Sequence, residues 1–60
     1  MRNILVSNFD STDENVMVFT DNFTAESLAE KLKGAGHPGA DVVEVRDDEI
    51  EFYLFEPLWI

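Results

Sequence analysis

No cysteine occurs anywhere in these sixty residues, and that absence constrains the fold more than any residue present. A domain this short buries only about 60% of the surface its unfolded chain exposes. Small folds commonly make up the shortfall with disulfides or zinc–thiolate sites. Both routes are closed here, so stability must come from an apolar core or from a second chain. The material for a core exists: 45% of the residues are hydrophobic, including five Phe, Trp59 and Tyr53. That content is too high for a disordered acidic tail. One folded domain spanning residues 1–60 is expected.

The apolar pattern predicts an α+β fold of order ββαββ, with one helix packed on one face of a four-stranded antiparallel sheet. Arg2 to Phe9 reads as a strand around Ile4-Leu5-Val6, and Val16 to Thr20 as a second, joined to it in a hairpin by the polar run Asp10 to Asn15. Thr24 is placed to cap a helix, with Phe23 and Leu28 at the positions of a hydrophobic staple. Ala25, Leu28, Ala29 and Leu32 follow helical spacing, and Gly34 and Gly36 end the segment. After the turn at His37-Pro38-Gly39, Val42 to Arg46 and Glu49 to Phe55 are predicted as a second pair of strands joined near Asp47-Asp48. Ile50, Phe52 and Leu54 alternate with Glu49, Glu51 and Tyr53, the period-2 pattern of a half-buried strand. Val43 and Val45 would point inward.

Charge supplies the main functional signal. Thirteen carboxylates face four Lys and Arg, for a formal net charge of -9. Six of those carboxylates (Asp41, Glu44, Asp47, Asp48, Glu49 and Glu51) fall within eleven residues, opposed by Arg46 alone. On a strand, Glu49 and Glu51 would share a face about 6.6–6.8 Å apart. Such a row can imitate nucleic-acid phosphates and occupy a basic groove on another protein. Those six carboxylates and Tyr53 form the candidate partner-binding set. The competing reading is a solvated face that keeps a small hydrophobic protein soluble.

The tail is the second feature. Pro57 is expected to stop the sheet ladder. Phe55, Leu58, Trp59 and Ile60 would then either fold back over an open sheet edge or the helix, or form a dimer or partner interface.

Other chemistry finds little support. Parallel carboxylates on a strand do not converge on a cation, and the Asp10 to Asn15 loop lacks the glycine-centred calcium pattern, so no metal is expected. His37 has no sequence-near nucleophile and reads as a turn residue. The glycines follow the helix, where a phosphate cradle would precede it, so no enzyme and no cofactor is expected. Four cations are too few for direct nucleic-acid binding. Ile4-Leu5-Val6 is far short of a signal-peptide apolar core, and no run reaches a membrane span, so a cytoplasmic setting is expected (the host cytoplasm if the chain is phage-encoded). Asn22-Phe23-Thr24 matches a glycosylation sequon without a secretory signal to give it meaning.

In size and charge the chain resembles, as a type, the small acidic inhibitors that phages direct against host nucleases, polymerases or defence complexes, without a family motif. The leading expectation is a non-enzymatic interaction module engaging a basic surface, such as that of a nucleic-acid-binding protein. The alternative is a structural homodimer whose charge serves solubility or high-salt adaptation.

Overall fold

In the computed structural model, which describes residues 1–9 and 14–60, strand β1 (Arg2–Ser7) lies beside β2 (Val16–Thr20). Helix α1 (Ala25–Gly34) follows, then β3 (Asp41–Val45), a 3-10 turn (Asp47–Phe52) and β4 (Glu56–Trp59). The sheet order is β3-β1-β2-β4. β1 is antiparallel to both β2 and β3, whereas β4 runs parallel to β2. The α+β class holds, but the sheet is mixed rather than antiparallel. The polar run at 10–15 falls mostly on residues outside the described ones.

The helix forms where its caps dictate. Thr24 Oγ1 accepts the Ser27 N–H at 3.0 Å, and Ser27 Oγ accepts the Thr24 N–H at 2.8 Å, closing a reciprocal capping box. Phe23 and Leu28 pack into the same cluster beneath it. At the other end, His37 N–H reaches Leu32 C=O at 2.9 Å and Gly36 N–H reaches Lys33 C=O at 3.3 Å. Those two bonds make a Schellman motif, and Gly36 supplies the positive φ (95°) it requires.

Each sheet face carries its own core. Ile4, Val6 and Val18 meet Leu28 of the helix on one face. On the other, Met17, Phe19 and Val45 are covered by Ile50 and Phe55 from the chain between β3 and β4. Because β3 and β4 sit at opposite edges and run parallel, the chain must cross the whole sheet to link them. Residues 46–55 make that crossing.

Here the expected second hairpin fails. Glu49 to Phe55 is not a strand: Asp47–Phe52 winds into a 3-10 turn, with Glu49 N–H bonded to Arg46 C=O and Tyr53 N–H to Ile50 C=O. Asp47, Asp48 and Glu49 fill its first turn, where free N–H groups favour negative charge. Ile50 is half-buried, but Phe52 and Leu54 are exposed instead of pointing inward. Val45 points into the core, while Val43 is 57% exposed at the sheet edge.

Pro57 does not end the ladder either. It lies inside β4, opposite Met17. Glu56 N–H bonds to Asn15 C=O and Ile60 N–H to Phe19 C=O, so alternation turns the Pro57 position outward, where a missing N–H removes no sheet bond. Residues 56–59 therefore extend the sheet along β2, with Trp59 stacked on Phe19 at 4.3 Å between ring centroids.

A candidate acidic interaction surface

Each of the six clustered carboxylates is placed by its element, and the placements diverge. Asp41 and Glu44 stand on opposite faces of β3, because residues an odd number apart alternate. On the 3-10 turn, side chains three apart eclipse. Asp47 therefore shares a ridge with Ile50, Asp48 with Glu51, and Glu49 with Phe52. Asp48 and Glu51 are the pair aligned on one ridge, about 6 Å apart by the 3-10 rise. Glu49 and Glu51, expected to share a strand face, do not. The evenly spaced row is replaced by three ridges.

Part of the charge also has internal partners. Asp47 accepts a hydrogen bond from Asn3 Nδ2, and Asp41 accepts one from Asn8 Nδ2. Asp48 pairs with Arg46 at 2.9 Å, an exposed contact that contributes little to stability. Arg2 and Arg46 line a shallow depression of about 520 Å³ together with Glu44, Asp47 and Asp48, so this end of the cluster is mixed in sign. Among the described residues, the carboxylates of Glu44, Glu49 and Glu51 have no ion-pair or hydrogen-bond partner.

The sequence pattern does not show what lies beside these charges. Phe52 is 73% exposed and Leu54 91%, with Tyr53 also open to solvent. They follow the carboxylates directly, so the crossover presents an acidic ridge running into bare apolar side chains. The missed signal was the competition between two period-2 runs for one sheet position. Ile50, Phe52 and Leu54 make one run; Leu58 and Ile60 make the other. The second takes the slot beside β2 because Leu58 lies opposite Val18 and Trp59 stacks on Phe19.

Of the tail residues, Phe55 is half-buried beneath Phe19, in an edge-on contact at 6.1 Å. Leu58, Trp59 and Ile60 remain partly exposed. Leu58 and Ile60 help line an apolar groove of about 180 Å³ between the helix and β4, with Val16, Val18, Leu28 and Leu32. The helix backbone runs nearest β3, which leaves the β4 side of that face open.

His37 stacks on Phe9 at 4.1 Å, and its Nδ1 lies 3.1 Å from Phe9 C=O, tying the turn before β3 to the end of β1. Among the described residues no group of three or more His, Asp or Glu is arranged to hold a metal ion, and no helix is long and apolar enough to cross a membrane. No family model, curated protein or solved structure matches the chain.

Proposed function

We propose that this chain is a non-enzymatic acidic interaction module that seats its crossover, residues 47–54, on a positively charged surface of another protein. One observation carries the reading: Phe52 and Leu54 stand almost bare immediately beside four carboxylates in five residues, Asp47, Asp48, Glu49 and Glu51. A face serving solubility alone has no use for two large exposed apolar groups beside it. An interface does, since apolar anchors supply affinity while charge steers the approach and selects the partner. Burying each of these side chains contributes about 1.5–3 kcal/mol. A nucleic-acid-binding protein offers a suitable basic surface, and occupying it would make the chain an inhibitor of the kind its size and charge resemble. The three-ridged layout would cover such a surface by charge without copying phosphate spacing.

The test reverses Asp48, Glu49 and Glu51 to Lys and leaves Asp47, which is tied to Asn3. Affinity capture with the wild-type protein should retain partners that elute as salt rises, and the reversed protein should lose them with its circular dichroism unchanged. Equal capture by the reversed, folded protein would overturn the proposal.

A homodimer is the second reading, favoured by Leu58, Trp59 and Ile60 at 45%, 64% and 46% exposure on one edge. Sedimentation decides it: a folded monomer at micromolar concentration excludes an obligate pair.

A further inference from the structure

We propose that the outer edge of β3 is a docking site for an extended, positively charged segment of a partner protein, which joins the sheet as an added strand beside Val42 and Glu44. The hydrogen-bonding phase of the sheet leads there. Glu56 N–H donates to Asn15 C=O at 2.8 Å and Ile60 N–H to Phe19 C=O at 3.1 Å, so Asn15, Met17 and Phe19 turn their backbone groups towards β4. Val16, Val18 and Thr20 then face β1, opposite Val6, Ile4 and Arg2. Asn3, Leu5 and Ser7 are left to bond β3 through Val45, Val43 and Asp41. Val42 and Glu44 consequently project their N–H and C=O groups away from the sheet. Among the described residues, none of these four groups has a hydrogen-bond partner.

The two sheet edges are treated differently. On β4 the outward positions are Pro57 and Trp59, and the proline removes one of the two donors. β3 carries no proline and no lysine. Its edge is a template for strand addition.

Charge selects the occupant. Asp41 and Glu44 are both exposed on this strand, and beyond Arg46, whose charge Asp48 offsets, Asp47, Glu49 and Glu51 add to the negative charge at its end. A second copy of the chain would bring another formal charge of -9 against this edge. A basic segment is attracted instead. The side-chain alternation specifies its pattern: an apolar residue beside the exposed Val43 on one face, and Lys or Arg beside Glu44 on the other. This deepens the acidic-module reading and rests on it, but it assigns the contact to the β3 edge, separate from the Phe52–Leu54 tip.

The experiment titrates the full ¹⁵N-labelled chain with the peptide Lys-Val-Lys-Val-Lys-Val-Lys. The amides of Val42 and Glu44 should shift and exchange with solvent about tenfold more slowly at saturation. Glu44→Lys should weaken binding about fivefold, and a peptide N-methylated at alternate residues should not bind. Shifts confined to residues 48–54, with Val42 and Glu44 unmoved, overturn edge docking and leave the acidic-surface reading standing. No shift anywhere up to roughly millimolar peptide overturns both. Equal binding by a peptide with Glu in place of Lys removes the charge argument and overturns the assignment of a basic partner.

Discussion

Asn3 ties three parts of the fold together through one buried side chain. It is buried in β1, and its one amide group donates both to Val45 C=O at 3.2 Å and to the Asp47 carboxylate. It thereby pins the end of β3 and the start of the crossover to the central strand. Asn3→Ala removes both bonds and is expected to cost about 1–2 kcal/mol, lowering the melting temperature by about 4–8 °C per kcal/mol in a domain this small. Asn3→Asp should be worse at neutral pH, because it sets a second carboxylate against Asp47 where a donor stood. Thermal melts of the two variants check the order, and equal loss would show that the Asp47 contact contributes nothing. Gly36 gives a parallel case. Its φ of 95° closes the helix C-terminus, and nothing lies near enough to clash with an added Cβ. Gly36→Ala should therefore lose stability through backbone strain alone, about 1 kcal/mol.

Among the elements, the helix and the first two strands were the most legible in the sequence, and for local reasons. Thr24, Phe23 and Leu28 specify the helix start within six residues, and β1 and β2 are each buried by their own apolar runs. The second half is not legible locally because its conformation is decided at a distance. Phe52 and Leu54 alternate as well as any strand, but the place beside β2 goes to the segment whose tryptophan can stack on Phe19. Nothing between residues 47 and 55 reveals that. The candidate site was legible as a concentration of charge and illegible as a shape, since the shape depends on 3-10 geometry rather than on a strand. In sequence Pro57 reads as a breaker, because its edge position and outward phase are properties of the assembled sheet. Pro57→Val restores an outward N–H to β4 and raises its strand propensity. The expected outcome is self-association that increases with concentration, measured by sedimentation, with little change in monomer stability.

Taken whole, the molecule is a thin slab, 31 × 25 × 15 Å, carrying a formal charge of -9. Charges of one sign at that density repel, and at 0.1 M salt the repulsion between charges more than about 10 Å apart is largely screened. Raising sodium chloride from about 0.01 to 0.5 M should therefore raise the melting temperature, with no ligand added. Trp59, the sole tryptophan and 64% exposed, reports the same field from within. Caesium ions should quench its fluorescence more strongly than iodide at equal concentration and low ionic strength, and equal quenching would place the negative potential elsewhere.

The crossing of residues 46–55 over two intervening strands also dictates an order of events. β4 has one sheet neighbour, β2, and its link to β3 spans the other strands, so it is expected to be the last strand to arrive and the first to leave. When it leaves, Ile50 and Phe55 are free to lift with it and Met17, Phe19 and Val45 meet water, whereas the packing of Ile4 and Val6 against Leu28 does not depend on β4. The protein thus carries a hinged half whose excursions amide exchange would register as a lower opening energy for β4 than for β1.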